Sequence, residues 1–134
     1  MVLADGKGAP VGVGVASASP AEVTLLEPLL DTIPVRGRPA RLIADRAYDS
    51  QTIRDLLVAR GIEPIIPARS GNRRATHQDG RRMRRYRRRW IIERTNAWLQ
   101  NFRRLVVRYE RKPLVFLALV HMACALIVLK RILG

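Results

Sequence analysis

Two carboxylates in this sequence stand where they could do chemistry. Asp45 closes a short apolar run, Arg41-Leu42-Ile43-Ala44-Asp45, which reads as a buried strand ending in an acid. In open α/β sheets, functional groups collect at the carboxyl ends of strands. Glu93 lies in Tyr86-Arg87-Arg88-Arg89-Trp90-Ile91-Ile92-Glu93 and is the only acid between Gly80 and Tyr109, among eleven arginines. On an uninterrupted helix Tyr86, Arg89 and Glu93 share a face, because 100° per residue nearly eclipses positions seven apart. Either acid alone reads as a solvated loop Asp or a plain Glu–Arg pair. Together, amid strong positive charge, they suit metal-assisted phosphodiester chemistry. Hard Mg²⁺ or Mn²⁺ prefers oxygen ligands, and two such ions clamp the attacking and leaving oxygens at phosphorus.

The charge distribution points to the same polyanionic partner. The 134-residue chain carries 25 Lys+Arg against 11 Asp+Glu, a net of +14. Residues 1–68 hold 7 basic and 8 acidic side chains, a net of −1. Residues 69–112 hold 16 basic and 3 acidic, a net of +13. One central segment therefore carries nearly all of the field, as expected of a surface that meets nucleic-acid phosphates. Arg73, Arg74, Arg81, Arg82, Arg84, Arg85, Arg88, Arg103 and Arg104 are the candidate DNA contacts, holding the backbone in register without reading sequence.

The elements that must position these groups form an α/β pattern in one domain, residues 1–134. Asp5-Gly6-Lys7-Gly8 between apolar runs predicts a hairpin. Ser19-Pro20-Ala21-Glu22 opens a helix with Leu25, Leu26, Leu29 and Leu30 on one stripe, and Pro34, Gly37 and Pro39 make a loop. Asp49 or Ser50 caps a helix through about Arg60, Gly61 stops it, and Glu63 to Pro67 forms a second short strand. A basic loop and helix start occupy 69–85, and one long basic helix, broken at most once, is expected from about Arg81 to Tyr109. Pro113 starts a final apolar helix. The strands fall short of the apolar helix available to cover them, which implies a further strand upstream.

At this point the residues resemble a known family. Tyr86, Arg89 and Glu93 reproduce a Y-x-x-R-x-x-x-E signature, within the run from Arg89 to Leu99 that looks like the family's core. Leu42 to Ser50 is similar to its second-Asp strand, and Phe102-Arg103-Arg104-Leu105 and the closing helix extend the likeness. The family is the DDE transposases of bacterial insertion sequences, in the insertion-sequence-four/five group. The resemblance implies a ribonuclease H-like fold, with an N-terminally incomplete mixed sheet covered by helices. It implies cleavage and strand transfer at transposon ends with Mg²⁺ or Mn²⁺. By it, Asp45 and Glu93 are the second and third triad carboxylates and the metal ligands, with Tyr86 and Arg89 in support. The family's basic residue seven past the Glu is here Gln100, with Arg103 or Arg104 as substitutes. The family's first Asp precedes the hairpin, whereas Asp5 sits in its turn. The chain is therefore expected to be inactive alone, and a homodimer or an upstream transposase fragment would supply the first Asp. A decayed or mis-started gene and a frameshift-expressed half both account for that gap.

Two rival classes remain. A non-catalytic basic DNA-binding protein explains the charge but not Glu93 or the Asp45 strand. A membrane protein would need Leu114 to Leu129 to span, but that run is 16 residues, short of the roughly 20 required, and His121 interrupts it. The expectation is a cytoplasmic, nucleoid-associated protein whose last helix covers the sheet, with His121 a core or interface residue. Trp90 and Trp98 are expected in the core, His77 has no evident partner, and the single Cys124 reads as a buried hydrophobe in a reducing compartment.

Overall fold

The computed structural model describes residues 1–17, 21–33, 39–69 and 80–134, without the side chains of 80–82. The expected helix opening at Ser19-Pro20, the Pro34–Gly37 loop, Arg73, Arg74 and His77 lie outside the described residues. The chain divides into two compact units, Met1–Pro34 with Trp90–Gly134, and the contiguous Val35–Arg89.

In the first unit, β1 (Val2–Ala4) pairs antiparallel with β2 (Pro10–Val13), Leu3 opposite Gly12, as the Asp-Gly signal predicts. Asp5 builds the turn: its Oδ1 accepts the N–H groups of Lys7 at 2.9 Å and Ala9 at 2.7 Å. The short Asp side chain thereby replaces backbone partners that a tight turn cannot supply. The first helix begins as a 3-10 turn, Glu22–Leu25, and continues as α1 (Leu26–Asp31), burying Leu26, Leu29 and Leu30.

The chain from Trp90 onward supplies α4 (Trp90–Gln100), α5 (Arg103–Val106) and α6 (Pro113–Leu133). Leu99 of α4 joins Val120, Ala123, Cys124 and Ile127 of α6 in one core cluster, against which Val2, Val13 and Val15 of the hairpin pack. Helix α6 thus covers the hairpin with one face only. Leu114, Met122, Leu126, Ile132 and Leu133 are exposed, and so is His121, which leaves the interface half of its reading as a core or interface residue. Helix α6 bears out the apolar helix expected from Leu114 to Leu133, and at 21 residues it is long and apolar enough to cross a bilayer by length and composition. Cys124 is buried, and that burial pushes its thiol pKa up. With less thiolate available, we expect Cys124 of the folded chain to react with a disulfide reagent at pH 8 at least about tenfold more slowly than in urea. Equal rates in the two states would show that this face of α6 opens freely.

In the contiguous unit, β3 (Arg41–Ile43) pairs parallel with β4 (Glu63–Ile65), Leu42 opposite Pro64. The helical crossover that parallel strands require is α2 (Gln51–Ala59). Ser50 caps it, its Oγ accepting Ile53 N–H at 3.2 Å, and Gly61 follows with φ +73°. Ile53 and Leu57 of α2, with Ile62, Ile65 and Ile66 around β4, are buried. Beyond residue 79, α3 (Gly80–Tyr86) packs on β4 and runs into a 3-10 turn at Arg87–Arg89.

Two expectations are corrected here. The long helix from Arg81 to Tyr109 is several pieces: α3, the 3-10 turn, α4, a break at Asn101-Phe102, and α5, which ends at Val106. The 3-10 turn falls within a run that holds seven arginines between 81 and 89. The mixed sheet resolves into two two-stranded sheets, because each described strand pairs along one edge only.

Candidate active site on two carboxylate-bearing elements

Asp45 follows β3, where the strand hands over to a 3-10 turn, Arg46–Tyr48. The residue is extended, φ −80° and ψ 178°, and its Oδ1 accepts Ala47 N–H at 2.8 Å while its carbonyl accepts Tyr48 N–H at 3.1 Å. The carboxylate is half-buried and caps its own turn, and among the described residues no other partner holds it. One oxygen is thereby fixed by the turn.

The turn itself is held by a neighbouring ion pair. Arg54 of α2 donates to Asp49 Oδ1 from Nη2 at 2.7 Å and from Nε at 3.2 Å, and from Nη2 to the Ile66 carbonyl at 2.8 Å. Both side chains are nearly buried, at 11% and 6% exposure. Asp49 Oδ2 accepts the backbone N–H of Arg69 at 2.7 Å. Asp49, expected as a helix cap, therefore ties the loop after β3 to the loop after β4. Ser50 alone takes the capping role.

Tyr86 and Arg89 belong to this same contiguous unit. Arg89 Nη1 donates to Tyr86 Oη at 3.3 Å, and its guanidinium stands 5.9 Å from the ring centroid. The structure brings these two supporting residues together across the 3-10 turn. Arg84, Arg85 and Arg88 are exposed, with Arg85 Nη1 3.4 Å from Glu63 Oε2. The backbones of Arg81 and Arg82 lie in α3.

Glu93 belongs to the other unit, exposed in the first turn of α4. Acid there is favoured by the helix dipole, whose positive end is the N-terminus. The same helix carries groups that the sequence did not single out. Thr95 is fully buried, and its hydroxyl donates to the Gly8 carbonyl at 2.9 Å or to the Ile91 carbonyl at 3.0 Å. Arg94 Nη2 and Arg131 Nη1 both donate to the Lys7 carbonyl at 2.7 Å. The Arg94 guanidinium is sandwiched between Trp90 and Trp98, 4.7 and 4.8 Å from their centroids. Trp90 is 52% exposed, which corrects its reading as a core aromatic: it stacks on a cation rather than filling the interior. Trp98 packs against the core cluster as expected. Gln100, Arg103 and Arg104 are exposed, with Arg104 Nη1 3.1 Å from Glu110 Oε1.

Asp45 and Glu93 are both acceptor-only groups suited to a hard cation, yet no cluster of three acid, histidine or cysteine side chains occurs among the described residues.

Comparison with known proteins bears on what this arrangement is for. No solved structure matches the chain. A putative transposase for insertion sequence element IS402 from Burkholderia cepacia is 40% identical over 134 residues, covering 94% of this chain and 60% of that relative. The chain thus spans less than two thirds of the length of the curated relative it matches. The family model described as the transposase DDE domain matches residues 1–128, nearly the whole sequence, and the chain belongs to that family.

Proposed function

We propose that this chain is a portion of an insertion-sequence transposase catalytic domain, ribonuclease H-like, that supplies the second and third carboxylates of the DDE triad. The observation that carries the reading is the position of Asp45, at the carboxyl end of a parallel strand with one carboxylate oxygen committed to its own turn. Asp45 and Glu93 would hold Mg²⁺ or Mn²⁺. When bound, the metal supplies a polarised nucleophile and stabilises charge on the leaving oxygen. Arg89, with Tyr86 ordering its guanidinium, would orient a DNA phosphate near that site. Arg84, Arg85, Arg88, Arg103 and Arg104 would hold the DNA backbone, and Arg73, Arg74, Arg81 and Arg82 would extend that contact. The substrate is the end of a transposon in cytoplasmic, nucleoid-associated DNA. Residues 1–134 form part of one catalytic domain, and 69–85 is its basic DNA-facing segment.

On this reading residues 1–134 by themselves perform no strand transfer, because the first carboxylate of the triad lies outside them. The test combines DNA affinity with Mn²⁺ binding. If the five described arginines contact phosphates, the logarithm of affinity falls with log salt at a slope of roughly −4 to −5. Asp45→Asn and Glu93→Gln leave that affinity within about twofold and weaken Mn²⁺ binding at least about tenfold. Mn²⁺ binding unchanged in both variants would instead establish a DNA-binding module without chemistry. Mg²⁺-dependent strand transfer by residues 1–134 alone would remove the requirement for a carboxylate outside them.

A further inference from the structure

Arg69 carries an arrangement that the catalytic reading does not use. It follows β4 and reaches back across the unit to the turn that bears Asp45. Its Nε donates to the Arg46 carbonyl at 3.0 Å and its Nη2 to the Ala47 carbonyl at 3.1 Å. Its backbone N–H donates to Asp49 Oδ2 at 2.7 Å. One residue therefore holds three points on the four residues following Asp45. The guanidinium fork matches two successive carbonyls, which the single nitrogen of lysine cannot span.

We infer that Arg69 is a positioning residue for Asp45, fixing the 3-10 turn whose Ala47 N–H orients the carboxylate. The inference rests on the proposal that Asp45 is a metal ligand. Arg69 is exposed and the carbonyls it holds can turn to water, so its loss loosens the turn without unfolding the unit. Arg69→Ala keeps the backbone bond to Asp49 and removes only the fork.

The experiment is amide hydrogen exchange on the full chain, together with Mn²⁺-induced broadening of the same amides. In Arg69→Ala, exchange at Ala47 and Tyr48 rises about tenfold while the interior of α2 and the β4 amides keep wild-type rates. Arg69→Lys preserves the charge and recovers only part of that protection. Broadening of Ala47 and Tyr48 requires several-fold more Mn²⁺ in Arg69→Ala than in wild type. A purely electrostatic role has the opposite sign, because removing a cation near Asp45 makes the carboxylate a better site for Mn²⁺. Unchanged exchange at Ala47 and Tyr48, or tighter Mn²⁺ binding in Arg69→Ala, overturns the inference. Mn²⁺ that leaves both amides sharp in the wild-type chain overturns Asp45 as a ligand, and the exchange rates then decide the pinning separately.

Discussion

Asp49→Ala is expected to destabilise the contiguous unit by about 3–5 kcal/mol, the usual cost of leaving one member of a buried ion pair alone. Arg54 makes two bonds to Asp49 Oδ1, and its remaining described bond is to the Ile66 carbonyl. With the carboxylate gone, a guanidinium that is 11% exposed stays among α2, the β3 loop and the β4 exit with one acceptor left. The Arg69 N–H loses its partner as well. Asp49→Asn keeps an acceptor and the shape but not the charge, and falls between wild type and alanine. Asp45→Ala, four positions away, removes one capping bond and costs only about 1 kcal/mol. The two acids therefore separate by stability alone, the reverse of their proposed importance for metal binding. Both tryptophans lie outside this unit, so amide exchange in β4 and α2 is the measurement. Asp49→Ala within about 1 kcal/mol of wild type would mean that the pair adds little to the fold.

Gly8→Ala should cost the other unit about 2–4 kcal/mol. Gly8 has φ +88°, in the left-handed region, where an L side chain costs about 1–2 kcal/mol. A Cβ there would also stand 2.9 Å from Arg94 Nη2 and 3.2 Å from Thr95 Oγ1. The Arg94 terminus is normally free to swing away. Here it is fixed between two indoles and bonded to the Lys7 carbonyl, so yielding loses a hydrogen bond worth about 1 kcal/mol and disturbs the stack. Gly61→Ala is the control, with φ +73° and nothing within 4 Å of the added Cβ. It should show the backbone cost alone. Urea unfolding followed by fluorescence of Trp90 and Trp98 reports the first substitution directly, and equal losses in the two variants would assign the whole effect to φ.

Local chemistry carried much of this structure in plain view. Asp5-Gly6 gave a hairpin, Ser50 a cap and Pro113 a helix start, because each acts on neighbours within four residues. The apolar run before Asp45 and the Tyr86, Arg89 and Glu93 spacing likewise named the candidate site. What remained hidden depends on partners distant in the chain. Thr95 looks like an ordinary helix surface residue until the Gly8 carbonyl, 87 positions away, meets its hydroxyl. Trp90 fits an apolar stripe until Arg94 claims its ring face. Asp49 has good capping chemistry, and only the opposing Arg54 and Arg69 divert it. Periodicity also presumes an unbroken helix, and the 3-10 turn at Arg87–Arg89 interrupts it without a proline, a glycine or any hydrophobic pattern to mark the place.

The hydrogen bonds to Lys7 also set an order of assembly during synthesis. Its carbonyl is satisfied by Arg94 and Arg131, 87 and 124 positions downstream. At roughly 5–20 residues per second, it waits on the order of ten seconds for the second of them to leave the ribosome. Residues 35–89, a contiguous unit, are all synthesised within that interval. The hairpin and the buried leucines of α1 stand open to other chains throughout it, so slow or stalled translation past residue 90 should favour aggregation of the nascent chain over its folding.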